Sequence, residues 1–557
     1  MNRLVKATAI LAASTAMVLA GCGSNADEKS EIKVKASDYN KVKYEDLKDG
    51  GTLTFALGAV PEQMNPFQAN ADAETTGIWR WYNAQVALYD DNAEWYPNPA
   101  YVTNYKEEVK DGKTVVTYDL NDKAVFNDGT PIDWKVWEAT WKAQNGSNEE
   151  YQVSEPDGYV DIESLTRGEN DFQVVVTYKS TFPWWKKTFE SLLHPKVAAD
   201  PKLYNEGYIN NPHPEWGTGP YKLEAFDSKG GTVSVVPNEK WWGQPGKLDR
   251  VLMRALDPQA EITAFKNGEL DIAAVGNKER LDQTKDMKDL ARYNSTSTGE
   301  TLLQINSKRP HMDDKNVRTA IFQAISRPTL LDIRFQGMGW SEPPLGSLTM
   351  KPSQKGYENN VGEYGNFDLE HAKKLLDEAG WKLEDGKTYR TKDGEELSVL
   401  IPSFSTSATL KALYDGIQSM LKNAGVKMVV DQRKPADFQR TMKDRDFDLV
   451  LSGLRQSNPF GMADVGQIYF SDSALSKTGL GSKEIDEKIR KSLDASTADE
   501  AIKLGNEAEK AALDQVGWLP LSVGPTMVAT KKGLANQGAM GYTIVPKELI
   551  GWAKDAK

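Results

Sequence analysis

A single cysteine, Cys22, in a chain of 557 residues is the tightest constraint on how this polypeptide can hold itself together. No internal disulfide can form, so distant segments must be tied by buried apolar surface and hydrogen bonds. The length allows that: more than 500 residues imply two or three domains, each large enough for its own core. The balance of charge is acidic, −12 overall. That argues against nucleic acid as a partner and against electrostatic docking to anionic lipid.

The position of the cysteine is as informative as its solitude. Arg3 and Lys6 lead into an apolar stretch, Ala7 to Ala20, that ends on Leu19-Ala20-Gly21-Cys22. The stretch is too short for a spanning helix and has the layout of a secretion signal. Its end resembles the lipobox of bacterial lipoproteins, in which the cysteine is diacylated and becomes the first residue after cleavage. An ordinary signal with a chance cysteine is the alternative. Residues 1–21 are therefore expected to be a signal peptide and Cys22 a lipidation site. Losing Arg3 and Lys6 takes the charge from −12 to −14. Residues 22–49 are rich in Ser, Asn, Asp, Glu and Lys without a sustained apolar period and read as a flexible linker.

Folded structure is expected from about residue 50. Leu53, Phe55 and Leu57 alternate as in a half-buried strand, and Pro61 to Pro66 break it. Trp79, Trp81, Tyr82 and Asn83 follow. Aromatic faces with one polar handle suit a ligand cleft and suit a core equally. Thr114–Leu120 and Phe172–Tyr178 alternate as strands, and Asp133 is placed to cap a helix whose Trp134, Trp137 and Trp141 form a packing stripe. Further on, Val317, Ala320, Ile321, Ala324 and Ile325 make a helical face that Pro328 should stop. Asp368 should cap a second helix that Gly380 ends, and Leu410, Leu413, Ile417 and Leu421 mark a third ending at Gly425. Phe447–Gly453 reads as a buried strand opening into a loop. Ligands of open α/β sheets lie beyond strand carboxyl ends, which singles out Leu454–Asp464.

Catalytic and cofactor signals are weak. Trp216-Gly217-Thr218-Gly219-Pro220 is a tight turn without the third glycine or Gly-Lys-Ser/Thr of a phosphate loop. Ser419-x-x-Lys422 with Lys477-Thr478-Gly479 imitates penicillin-binding enzymes but lacks their Ser-x-Asn element. The four histidines, His194, His213, His311 and His371, are far apart and form no metal-ligand spacing. No catalytic residue, metal or cofactor is expected.

An ordered set of motifs resembles the family 5 solute-binding proteins, the peptide, dipeptide and nickel receptors of ABC importers. It comprises Asn65-Pro66, Phe126-Asn127-Asp128-Gly129-Thr130-Pro131, Gly217-Thr218-Gly219-Pro220-Tyr221-Lys222-Leu223, Pro237-Asn238-Glu239-Lys240-Trp241-Trp242, Phe265–Ile272, Val317–Ile321 and Ser326-Arg327. The set runs from about residue 50 to 530. The resemblance implies an α/β fold of the two-lobe periplasmic-binding-protein type, with an extra domain inserted in the first lobe. On that reading lobe I comprises residues 50–80, 212–302 and 520–557, the inserted domain 81–211, and lobe II 303–519, with crossovers near Leu303–Asn306 and Trp518–Leu521. The expected ligand contacts are Trp79, Trp81, Asn83, Trp216, Thr218, Arg455, Gln456, Ser457, Asn458, Phe460 and Asp464.

The function implied is a lipid-anchored, monomeric receptor on the outer face of the cell membrane that passes an oligopeptide to an ABC permease. An oligosaccharide receptor, since tryptophan faces also stack sugars, and a secreted hydrolase of peptide or glycan are the alternatives. One departure bears on the ligand. Peptide receptors carry a carboxylate after this strand that holds the peptide amino terminus. Here Gly453-Leu454-Arg455-Gln456-Ser457-Asn458-Pro459 has none and offers Arg455 instead. Either Asp464 takes over the amine, or the amine contact is absent and Arg455 faces a ligand carboxylate or carbonyl; the second is the expectation.

Overall fold

The computed structural model describes residues 35–154, 156–434, 437–456, 458–473 and 475–555. The signal segment, Cys22 and Ser457 lie outside the described residues. The fold has the two expected α/β lobes and a β-rich layer inserted in the first.

The first lobe is built on a seven-stranded sheet, in the spatial order Leu290–Thr296, Pro525–Lys531, Ile272–Ala274, Thr52–Leu57, Arg250–Ala255, Thr232–Pro237, Tyr221–Asp227. Thr52–Leu57 runs parallel to both its neighbours, and the other pairs are antiparallel. Leu53 and Leu57 point into the core as the alternation required. Helix Ala73–Tyr82 starts on a capping box, with the Asp72 carboxylate accepting from Thr75 N. It buries Ile78, Trp79, Trp81 and Tyr82.

The inserted layer is a four-stranded antiparallel sheet, Val102–Lys110, Lys113–Leu120, Gln173–Tyr178 and Ile162–Arg167 in spatial order, covered by helix Trp134–Gln144. Asp133 caps that helix through Lys135 N. Trp137 packs between the Tyr118 and Phe189 rings, so the tryptophan stripe is core. The layer's own apolar cluster runs from Ala84 to Leu192, while Trp81, Tyr82 and Leu193–Tyr208 pack into the first lobe.

The second lobe centres on Gly299–Ile305, flanked by Leu449–Arg455 and Trp518–Ser522, with a parallel pair Ser398–Ser403 and Lys427–Gln432 beside it. Its helices follow the local signals. Asp368 caps Leu369–Glu378, and Gly380 and Gly425 take positive φ of 89° and 80° past their helices. Pro328 departs from expectation. The helix Lys315–Gln323 stops before it, and Pro328 sits in the first turn of a further helix, Arg327–Phe335, where a missing N–H is harmless.

Two segments join the lobes, Thr296 to Gly299 and Ser522 to Pro525, and Ser297 N donates to Gly524 O at 3.0 Å between them. Both crossovers lie outside the stretches expected from sequence, because Leu303–Asn306 and Trp518–Leu521 are already committed to the second-lobe sheet. The folded body also begins earlier than residue 50. Asp38–Tyr39 pairs with Gly538–Ala539, and Leu47 is fully buried. Such isolated anchors leave no periodic trace in a polar stretch.

Candidate functional site

Two polypeptide turns face each other across the gap between the lobes. Beyond Ala274, the carboxyl end of a first-lobe parallel strand, the chain enters Gly276–Asp282, where Asn277 caps a short helix by accepting from Arg280 N at 2.9 Å. Beyond Ser403, the carboxyl end of a second-lobe parallel strand, it enters Ser407–Leu413, where Ser407 caps helix Ala408–Asn423. These turns, with Thr301, Arg334–Met338, Leu451–Gly453 and Pro525, enclose a cavity of about 810 Å³. A cavity walled by both lobes at strand carboxyl ends is where this class of sheet places its ligands.

The floor of the cavity is a sheet edge. Leu449–Arg455 pairs on one side with Gly299–Ile305, with Gly453 opposite Thr301 and Arg455 opposite Gly299. On its other side, among the described residues, only its start is held, by Asp448 N donating to Leu400 O at 3.1 Å. From Leu451 to Gly453 the strand lines the gap, and its outer backbone groups can receive an extended chain. Gly453 keeps that floor flat, since a Cβ there would stand 2.8 Å from the Glu300 carbonyl oxygen. By strand alternation, Arg455 projects on the same side as Leu451 and Gly453. It is exposed and makes no ion pair or hydrogen bond among the described residues.

Arg334 supplies a cation at the hinge end. Its guanidinium donates to Thr301 Oγ1 and lies over the Phe335 ring. Burial holds its pKa below the ordinary arginine value, and the Glu342 charge opposes that shift. Glu342 in turn accepts from Gly524 N at 3.0 Å and from Trp340 Nε1 at 2.9 Å. Glu342, whose charge acts on Arg334, is thereby tied to the crossover at Gly524.

None of the residues singled out from sequence lines this cavity, and Arg455 lies two residues past its last lining residue on that strand, Gly453. Trp79 is 2% exposed, donates to Ser191 Oγ at 2.8 Å and, with Asn458, lines a separate recess of about 210 Å³ beside the inserted layer. Trp81 is packed against Phe55 and Tyr221, and Trp216 is stacked on His213 and His194. Thr218 is spent on structure, donating to Val125 O and accepting Tyr101 OH on its carbonyl. Asn83 terminates helix Ala73–Tyr82. These side chains line none of the main interlobe cavity, because their aromatic faces are consumed by first-lobe packing.

The loop after the strand serves docking. Gln456 accepts Tyr542 OH at 2.7 Å and donates to Leu348 O at 3.4 Å. Phe460 sits between the Tyr89 and Trp184 rings. Asp464 accepts from Lys187 Nζ at 2.8 Å, with both side chains largely buried. Conversely, Asn277, Arg334 and Ser407, which line the interlobe cavity, were not singled out from the sequence. The placement of ligands beyond strand carboxyl ends, applied to the strand ending at Ser403, would have reached Ser407; no local signal pointed to Arg334. Among the described residues no helix is long and apolar enough to cross a membrane, and no group of three His, Cys, Asp or Glu is placed to hold a metal ion.

With this geometry, the chain matches the family described as bacterial extracellular solute-binding proteins, family 5 Middle, over residues 96–475. It belongs to that family, whose members are binding receptors rather than enzymes. It is 27% identical over 554 residues to the oligopeptide-binding protein OppA of Mycobacterium tuberculosis, covering 97% of this chain and 92% of that one. It is 24% identical to the nickel-binding periplasmic protein of Escherichia coli, covering 77% and 81%. Among solved structures, the periplasmic EDTA-binding protein EppA superposes with a TM-score of 0.83 at 24% identity, covering 94% of this chain and 99% of that one. AppA of Bacillus subtilis in complex with a nonapeptide gives 0.71 at 16%, covering 91% and 100%. These structural likenesses establish the two-lobe fold.

Proposed function

We propose that the chain is a lipid-anchored, monomeric receptor that captures an extended oligopeptide between its lobes and delivers it to an ABC permease. The observation that carries this reading is the open edge of Leu451–Gly453, facing a cavity of about 810 Å³ whose opposite wall belongs to the first lobe. Main-chain pairing to such an edge binds any peptide sequence, and the surrounding pockets set preference. A solute held there touches both lobes, so it stabilises the closed arrangement over the open one. The oligopeptide-binding relatives support the same ligand class.

Arg334 at the hinge end, with Arg455 at the other end of the strand, favours carboxylate and carbonyl groups on the ligand. Asp464 is engaged with Lys187 and lies off the cavity, which supports an absent amine clamp and a dispensable free amino terminus. The oligosaccharide alternative rested on open tryptophan faces, and Trp79, Trp81 and Trp216 are packed. Anchoring through Cys22 rests on its sequence setting alone. Native mass spectrometry of the purified receptor, followed by calorimetry with the released species, tests the reading. Co-purified peptides that rebind support it; a sugar or a metal chelate that binds while peptides do not sinks it.

A further inference from the structure

Glu342 directs its carboxylate at backbone rather than at a cation. Gly524 N, in the second crossover, donates to both its oxygens at 3.0 Å, and Trp340 Nε1 donates to Oε2 at 2.9 Å. The carbonyl of the same glycine accepts from Ser297 N in the first crossover. One residue of the hinge is thus held on its N–H by the second lobe and on its C=O by the other connecting segment. Its φ is 79°, and a Cβ there would stand 3.4 Å from Arg334 Nη2 and 3.6 Å from the Phe335 ring. Glycine therefore lets the guanidinium lie directly on the crossover.

Charge links the same three residues. Arg334 lines the interlobe cavity, donates to Thr301 Oγ1 and makes no ion pair among the described residues. Glu342 is the carboxylate whose charge acts on it. Burial is the chief cause pushing the Glu342 carboxyl up, opposed by the Trp340, Gly524 and Val523 N–H groups and by the Arg334 charge. The Tyr357 phenol also feels the Glu342 charge, and Lys278, Glu279 and Asp282 line the cavity from the first lobe. A ligand carboxylate arriving at Arg334 enters the field of a second carboxylate. Two carboxylates that share one cation favour keeping a proton between them.

We propose that Glu342 is a positioning residue that couples cleft occupancy to the crossover, sharing the Arg334 charge with a carboxylate of the ligand while holding Gly524. The inference rests on the peptide cleft proposed above. Its sign follows from linkage. A ligand carboxylate makes the charged form of Glu342 less favourable, so the complex takes up a proton that the free receptor lacks. Affinity therefore rises as pH falls toward the range in which Glu342 titrates. The oxygen that stays unprotonated still accepts from Gly524 N, so the crossover is held in both states.

Calorimetry on the full mature chain with pentaalanine and pentaalanine amide tests the ligand half, since the two probes share their amine and differ only at the carboxyl. Pentaalanine should bind on the order of tenfold tighter at about pH 5 than at about pH 7.5, with proton uptake read from buffers of different ionisation enthalpy. The amide should show no such gain. Glu342→Gln keeps an acceptor for Gly524 N without the charge. It should bind pentaalanine at the higher pH as tightly as the wild type does at the lower one, with no dependence on pH. Arg334→Ala should lose the pH dependence while binding weakly throughout. Hydrogen exchange on the unliganded protein tests the hold on the crossover. The backbone around Gly524 should exchange on the order of tenfold faster in Glu342→Ala, checked for fold by circular dichroism, and as in the wild type in Glu342→Gln. An acid gain that persists in Glu342→Gln, an equal gain for both probes, or unchanged exchange in Glu342→Ala overturns the proposal. Absence of binding by either probe at any pH overturns the peptide reading and with it the ligand half, while the exchange result still decides whether Glu342 holds the crossover.

Discussion

Lys187 Nζ donates to Asp464 Oδ1 at 2.8 Å, and that contact spans from the inserted layer to the second lobe. With Gln467 Nε2 donating to Asp157 Oδ2 at 3.1 Å and Phe460 seated between Tyr89 and Trp184, it makes the insertion a third party to lobe closure. Removing one member of a largely buried pair leaves an uncompensated charge and typically costs about 3 kcal/mol. Lys187→Met should therefore shift the chain toward the open form, and Lys187→Met with Asp464→Leu should recover part of the loss. Small-angle scattering reads this directly: a larger radius of gyration for the single variant, and a decrease in the wild type at saturating ligand. Identical curves for wild type and Lys187→Met would remove the latch.

Arg334 is the cation nearest the hinge in the cleft. Losing a charged contact to a ligand carboxylate costs about 2 kcal/mol, or roughly thirtyfold in affinity. Arg334→Ala should weaken a bound peptide by that factor, amidating the peptide carboxyl should mimic it, and the two losses should not add. Arg455→Ala should also weaken binding, whereas N-acetylation of the peptide should change little. Calorimetry on matched peptides decides. Abolition of binding by acetylation and by Asp464→Asn would show instead that the amine clamp has moved to Asp464.

Glu548 and Lys547 give stability an unusual pH profile. Burial raises the Glu548 carboxyl to about 7, and burial, with Arg80 adding to it, lowers Lys547 to about 7. Between about pH 4.5 and 7 the folded chain binds a proton on Glu548 that the unfolded chain lacks, so stability falls as pH rises through that window. Above 7 the unfolded chain keeps a proton on Lys547 that the folded chain has lost, so stability rises again. The pair thus places a minimum near pH 7. Glu548→Gln should flatten the acid limb, worth on the order of 2–3 kcal/mol, in denaturant midpoints measured from pH 4 to 7. An acid limb of equal slope in the variant would assign the effect to other groups.

Cys22→Ser should release the protein, once its signal is cleaved, from membranes into the medium or periplasm. Lipidation at that residue is the anchor the sequence offers, so fractionation of cells expressing the variant is the direct check. A processed variant that still sediments with membranes contradicts the lipobox reading.

Helix caps, strand alternation and the order of motifs were determined by the sequence alone. Asp133, Asp368, Gly380 and Gly425 act within a few residues of themselves, so their roles are visible without knowing where the helices go. The motifs from Asn65 to Arg327 likewise placed the chain in its family and set the two-lobe architecture, and the single cysteine excluded internal disulfides. Tertiary structure decided the site. Whether a tryptophan face is open or covered depends on segments far away in sequence: Trp216 is covered by His194 and His213, and Trp81 by Phe55 and Tyr221. The cleft is the volume that packing leaves unfilled between Asn277, Arg334, Ser407 and Gly453, which only the long-range pairing of strands and lobes brings together. The hinge was hidden for the same reason, since Ser297 and Gly524 become neighbours through a backbone hydrogen bond that no local pattern records.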